Sequence, residues 1–253
     1  MTLKGKNAII TGGSGGIGLA TAKLFLEEGV EGILLVDLSE ENLKEAKENL
    51  ASDKVHTFKA DVSQSKEVKA YTDKAMALFG QLDILFLNAG TEGVVKPLTE
   101  YSEEEFDLVM NVNVKGVWLG MKYAFPYMKE NGGSVIITSS VAGLTGTAKM
   151  IAYTTSKHAT IGTMRVAAKE GAPFQIRVNT IHPSPVDNRM MRSLEDQFAP
   201  GAGAEVKKGF ESMIPLGRYA VNEDIAQMAS FLASDKSKFI IGAVHVVDGG
   251  FSA

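Results

Sequence analysis

Tyr153 and Lys157 stand four residues apart in YTTSK, among small uncharged neighbours. On a helix this spacing puts both side chains on one face, one turn apart. The plain reading of such a pair is an amphipathic surface; the chemical reading is a phenol held beside a cation. A free phenol has a pKa near ~10, and a neighbouring ammonium favours the phenolate. Such a tyrosine can exchange a proton with a substrate oxygen near neutral pH, as a general acid/base. Ser140 lies 13 residues earlier, where an apolar run ends, and is placed to hydrogen-bond the same oxygen.

A second stretch with chemical meaning is TGGSGGIG, residues 11–18. It contains G-x-G-x-x-G as Gly13, Gly15 and Gly18, and G-x-x-x-G-x-G as Gly12, Gly16 and Gly18. Glycine is needed where a chain turns sharply from strand to helix and where backbone N–H groups approach a phosphate. Glycine-rich turns are common, but this one follows the first apolar run and opens the first helical segment, the context of a dinucleotide site. Asp37 ends the second apolar run, 19 residues after Gly18, where a carboxylate can accept from an adenosine ribose. A P-loop is excluded, because the turn ends in G-I-G and not G-K-[ST].

The elements that must hold these residues alternate along the chain. Apolar runs of strand length occur at 7–11, 32–37, 55–61, 82–90, 134–140, 176–183 and 243–250. Between them lie segments of helical period: 17–29, one N-capped by Ser39, 66–79, one near 222–233, and the segment carrying YTTSK. Ser102 and Glu105 form a capping box opening a long helix to about Glu130, with Pro126 as a kink. Alternating β and α segments, with strands apolar on both faces, indicate a doubly wound α/β fold: one domain, 1–253, around a parallel sheet of about seven strands. Residues 187–215, with GAGA and weak periodicity, read as a long loop serving as a substrate-binding lid. Asn88–Gly90 and Ser139–Ser140 close two strands at the sheet edge where such folds bind ligands.

Composition narrows the function. The chain is 45% hydrophobic and 22% charged, with net charge −4, no cysteine and four scattered histidines. Disulfides and thiolate chemistry are excluded, a metal site is not expected, and a nucleic-acid surface is disfavoured. No apolar run reaches the ~18 residues of a membrane span, and MTLKGKNAII lacks a signal-peptide core. A soluble cytoplasmic protein is the expectation.

Taken together, these motifs closely resemble the short-chain dehydrogenase/reductase family over nearly the whole chain. The family's T-G-x-x-x-G-x-G turn stands at Thr11–Gly18, its acidic residue at Asp37, its D-V pair at Asp61-Val62, its N-A-G at Asn88, Ala89 and Gly90, and its Y-x-x-x-K at Tyr153 and Lys157. The closing PLGR…EDIA…FLAS…VDGG is also similar to that family. The resemblance implies a Rossmann fold, a homotetramer, and an NAD-dependent interconversion of a secondary alcohol and its ketone. It implies a catalytic set of Asn113, Ser140, Tyr153 and Lys157, with Asn111 and Ser139 as decoys. Asn113 would hold a water linking Lys157 to solvent. Lys157 would also hold the nicotinamide ribose. Cofactor contacts are implied at Gly12, Ser14, Gly16, Ile17, Gly18, Val186 and Asn188, besides the residues above. One departure stands out: the family's P-G-x-V-x-T reads P-S-P-V-D-N here, so Ser184 replaces a glycine and Asn188 replaces the threonine that meets the nicotinamide carboxamide. Asn188 is expected to make the same contact. Leu144, Met150, Met190 and Met191 are expected at an apolar substrate pocket, with Glu92 adding one polar contact. The competing enzyme reading is a 3-oxoacyl-(acyl-carrier-protein) reductase, which usually prefers NADPH, a choice Asp37 disfavours. A nucleotide-sensing protein without turnover would be expected to have a broken catalytic set, and this one is intact.

Overall fold

The computed structural model describes residues 1–253. Its strands are β1 (Asn7–Thr11), β2 (Gly32–Asp37), β3 (Val55–Lys59), β4 (Ile84–Leu87), β5 (Gly133–Thr138), β6 (Ile176–Pro183) and β7 (Val244–Val247). All pair in parallel, in one seven-stranded sheet of order β3-β2-β1-β4-β5-β6-β7. The apolar runs therefore are the strands. They end a residue or more earlier where polar residues such as Asn88 and Ser140 leave the ladder for loops.

The helices are α1 (Gly16–Glu27), α2 (Glu40–Leu50), α3 (Ser65–Phe79), α4 (Glu103–Met110), α5 (Gly116–Met128), α6 (Ile151–Gly171), α7 (Arg189–Phe198), α8 (Gly203–Met213) and α9 (Asn222–Ala233). Side chains alternate across a strand, so a strand buried on both faces must be apolar throughout. Ile9, Leu34, Leu85 and Val135 pack with Val68 and Tyr71 of α3, Met121 of α5 and Met164 of α6. Their sequence neighbours Ala8, Ile10, Ile33 and Ile84 pack on the opposite face with Phe25 of α1, Leu43 of α2 and Ile225 of α9.

Two segments differ from the sequence reading. The capping box is present, with Ser102 Oγ accepting from the Glu105 N–H and the Glu105 carboxylate accepting from the Ser102 N–H. The helix it opens is not uniform, however. Between α4 and α5, Asn111–Lys115 form a π-turn, in which the Gly116 N–H reaches back five residues to the Asn111 carbonyl. Pro126 is taken up within the last turns of α5. Second, residues 187–215 are not a long loop but contain α7 and α8. Met191 and Leu194 of α7 bury themselves with Met150, Ile214 and Tyr219, away from the sheet. Asp187 ties both helices, through Arg192 at 3.0 Å and Lys207 at 2.8 Å. Both helices are short, and the Pro- and Gly-bearing link at 199–202 that separates them hides their amphipathic repeat in the sequence.

Tyr71 of α3 is fully buried against α5, and its hydroxyl has no hydrogen-bond partner. A buried unpartnered hydroxyl costs stability. Tyr71→Phe is therefore expected to raise the unfolding free energy by about 1 kcal/mol, read from urea denaturation; a less stable variant would show that the hydroxyl is satisfied.

Candidate active site

The strand order reverses between β1 and β4, and in an open α/β sheet that reversal opens a crevice at the C-terminal edge. Here it is a cleft of about 860 Å³. Gly12, Ser14, Gly16, Ile17, Asp37, Asp61, Val62, Asn88, Ala89, Gly90, Ser140, Tyr153, Lys157, Val186 and Asn188 all line it. Gly18 and Asn113 do not, and each acts from behind the wall.

Gly18 lets α1 start against the turn. A Cβ there would lie 2.2 Å from the Gly12 carbonyl oxygen, and one on Gly12, whose φ is +62°, would lie 2.9 Å from Ala89 Cα. These contacts are with backbone, so neither position accepts a side chain. The first turn of α1 carries no acidic residue, which leaves its N–H groups and positive end facing the cleft, as an anionic diphosphate requires. At the adjoining corner Asp37 Oδ2 accepts from the Ser14 hydroxyl at 2.6 Å and the Ser14 N–H at 3.1 Å. A bare-backbone cradle with a carboxylate beside it fits a dinucleotide.

A chain of hydrogen bonds crosses from this turn to Lys157. Asn88 Nδ2 donates to the Gly12 carbonyl at 3.2 Å, Thr138 Oγ1 donates to Asn88 Oδ1 at 3.0 Å, and Lys157 Nζ donates to the Thr138 carbonyl at 2.9 Å. Thr11 Oγ1 accepts from the Asn88 and Ala89 N–H groups at 3.0 and 3.1 Å. Ser139 also borders the cleft, but its hydroxyl is spent on the Lys157 carbonyl, to which it donates at 3.0 Å. A Cβ on Gly143 would come within 2.8 Å of that carbonyl, so the helix can seat only on a glycine. Sequence reasoning gave no role to Thr138 or Gly143. Their types carry no signal, because polar and small residues are ordinary at strand ends.

Asn113 is 1% exposed, brought inward from the π-turn. Its Oδ1 accepts from the Thr91 N–H at 2.9 Å, and its Nδ2 donates to the Thr91 carbonyl at 2.9 Å and Ser156 Oγ at 3.0 Å. It thereby clamps the loop after β4 to α6. A Cβ on Gly90 would stand 3.3 Å from Asn113 Oδ1 and 3.6 Å from Lys157 Nζ, so these groups meet around a glycine.

Tyr153 and Lys157 share one face of α6, with Nζ 5.4 Å from the phenol ring centre. Burial dominates both groups. It pushes the Tyr153 phenol up to about 12, with the Ser140 hydroxyl beside it acting downward and the Glu92 carboxylate upward. It pushes the Lys157 ammonium down to about 8. The expected depression of the phenol by the ammonium is thus not met: desolvation is the largest influence, and Lys157 is not among the groups that shift the phenol.

At the far end Met150, Met190 and Met191 line the cleft as expected, together with Leu194, Phe198, Phe210 and Phe251, which sequence reasoning missed. The aromatic members come from α7, α8 and the C-terminal segment, joined only by the fold. Leu144 and Glu92 do not line it. Leu144 is 38% exposed, and Glu92 is buried with Oε1 3.9 Å from Arg189. Asn188 faces the cleft, but its Oδ1 caps α7, accepting from the Met190 and Met191 N–H groups at 3.1 and 3.4 Å.

Comparison with known proteins identifies the family. Residues 12–252 match the family model described as enoyl-(acyl carrier protein) reductase. The chain is 35% identical to levodione reductase of Leifsonia aquatica, over 97% of this chain and 93% of that protein. It is 38% identical to the 3-oxoacyl-(acyl-carrier-protein) reductase FabG of Thermotoga maritima, over 99% of each. Among solved structures, NAD+-bound xylitol dehydrogenase superposes with a TM-score of 0.92 at 31% identity, covering 99% of this chain and 100% of that one. The chain belongs to the short-chain dehydrogenase/reductase family of oxidoreductases. No helix is long and apolar enough to cross a membrane.

The N-cap at Asn188 yields a direct test. Asn188→Ala is expected to lower stability by about 1 kcal/mol, with Asn188→Asp restoring most of it, measured by thermal unfolding. Unchanged stability in the alanine variant would mean that the side chain does not cap α7.

Proposed function

We propose that this chain interconverts a secondary alcohol and its ketone with NAD, on apolar and preferably cyclic substrates. The observation that carries the reading is the Tyr153 phenol beside the Ser140 hydroxyl and above Lys157, in a cleft whose other end is a glycine cradle closed by Asp37. An oxidised nicotinamide held there would supply the hydride acceptor and a further positive charge. Ser140 donates a hydrogen bond to the substrate oxygen. As the phenolate, its own proton first given up to solvent, Tyr153 takes the hydroxyl proton as the carbon–oxygen double bond forms; as the phenol it gives a proton back when the ketone is reduced. Lys157, anchored on the Thr138 carbonyl, stabilises the phenolate and holds the nicotinamide ribose. The methionine- and phenylalanine-lined end offers an apolar surface to the substrate carbon skeleton.

Asp37 supports NAD over NADP. Lys157 and Arg189 are the only cations among the cleft-lining residues, and neither lies on the strand or turn that carries Asp37 and Ser14. A 2′-phosphate at Asp37 would meet a carboxylate with no cation to offset it. The NAD+ in the related xylitol dehydrogenase structure agrees with this.

The relationship to FabG supports a second reading, reduction of a 3-oxoacyl thioester. Assaying a 3-oxoacyl thioester with NADPH against a panel of secondary alcohols with NAD separates the two, and faster turnover of the thioester would overturn the first.

Tyr153→Phe keeps the ring and removes the transferable proton. It is expected to lower kcat by ~10²-fold or more with NADH affinity little changed, by steady-state kinetics and fluorescence titration. Near-normal turnover would sink the assigned role. For the cofactor, kcat/KM with NAD is expected to exceed that with NADP by at least ~10-fold, or ~1.4 kcal/mol. Asp37→Ala should narrow the gap, and equal values in the parent protein would refute the preference.

A further inference from the structure

His182 lies near the end of β6, fully buried, and the proposed mechanism leaves it unused. Its Nδ1 is 2.8 Å from the Ser140 carbonyl oxygen and its Nε2 is 2.9 Å from Thr180 Oγ1. A carbonyl only accepts, so Nδ1 must carry a proton. Burial pushes the imidazole pKa down to about 4, against the Ser140 bond that raises it, and Lys157, His245 and His158 add to the lowering. The ring is therefore neutral near pH 7, and Nε2 is an acceptor. The Thr180 hydroxyl donates to it in preference to the Ala243 carbonyl, which is 3.4 Å away. One tautomer satisfies both faces of the ring.

What this bond holds matters more than the ring. The β5–β6 register ends at Thr138 opposite Ile181, and the Ser139 N–H to the Ile181 carbonyl, at 2.8 Å, is the last bond of that ladder. At Ser140 the sheet no longer positions the chain. Two groups take over at its carbonyl: the Gly143 N–H of the following turn, at 2.9 Å, and His182 Nδ1. Ser140 Oγ meanwhile accepts from the Ala142 N–H at 3.1 Å, which links its direction to that of the turn. An apolar residue could fill the same volume without bringing a polar ring into the core. The imidazole's distinctive contribution is to extend the sheet's grip one residue past its last rung.

We infer that His182 is a positioning residue for Ser140, holding the peptide at the end of β5 so that the hydroxyl stays directed at the substrate oxygen beside Tyr153. This inference rests on the role proposed above for Ser140. It assigns different work to the two ring nitrogens, and the test exploits that difference. His182→Asn puts an amide donor where Nδ1 stood and keeps the Ser140 bond. His182→Gln carries its amide out towards Nε2 and loses that bond while keeping polarity and bulk.

The Ser140 and Val141 amide resonances in 15N-labelled protein are expected to stay at their parent positions in the asparagine variant and to shift or broaden in the glutamine variant. With NAD and the best alcohol of the panel, kcat should fall about 10-fold in His182→Gln, the size of one lost hydrogen bond expressed as a rate. It should stay within about 3-fold of the parent in His182→Asn, with KM for NAD unchanged in both. In a Ser140→Ala background the glutamine substitution should cost little more, because the group it positions is gone. Equal losses in the two variants, unmoved Ser140 resonances in His182→Gln, or losses that add in the Ser140→Ala background would each overturn the assignment. A parent protein inactive on every alcohol would count against the proposed function alone, while the resonance comparison still decides the role of His182.

Discussion

Lys157 donates to the carbonyl of Thr138, and through Thr138 and Asn88 that bond continues to the carbonyl of Gly12. The site depends on this line of hydrogen bonds more than on any single residue. Parallel strands leave unpaired polar groups where they end, and each must find a partner. Here the partners are the site residues themselves. The bonds that satisfy the ends of β1, β4 and β5 also set the distance between the glycine turn and α6. The cofactor cradle and the Tyr153–Lys157 pair are thus parts of one frame.

Burial within the same frame sets its electrostatics. Burial drives Tyr153, Lys157 and His182 towards their neutral forms: the phenol up to about 12, the ammonium down to about 8, the imidazole down to about 4. Near pH 7 the resting site therefore holds a protonated phenol and a mostly protonated amine. Lys157 keeps its charge because its pKa stays above neutrality. Desolvation that opposes the phenolate at rest also strengthens any charge later brought beside it.

Close packing of backbone supplies the rest of the geometry. Gly18 admits the Gly12 carbonyl, Gly143 admits the carbonyl of Lys157, and Gly90 leaves room for Asn113 and Lys157 to meet. A π-turn brings Asn113 inward at the place where an unbroken α-helix had been expected. At the apolar end of the cleft, α7 and α8 are held by the Asn188 cap and the Asp187 ion pairs, and they bring Phe198 and Phe210 to its wall.

Much of this was legible in the linear chain. Apolar runs marked each strand, because a strand buried on both faces must be apolar throughout, and spacing together with the family resemblance singled out Gly12, Gly16, Asp37, Ser140, Tyr153 and Lys157, all of which line the cleft. These features are local: a helix turn fixes the four-residue spacing, and a strand end fixes the turn that follows. What only the tertiary structure decided comes from residues far apart in sequence. It seated Thr138 under Lys157, placed His182 behind Ser140, and turned Asn188 to capping a helix. It also gathered phenylalanines from three segments into the pocket and raised the phenol that the ammonium was expected to lower. Partner choice and desolvation depend on which segments meet and how much water they exclude, and no spacing along one strand or helix encodes that.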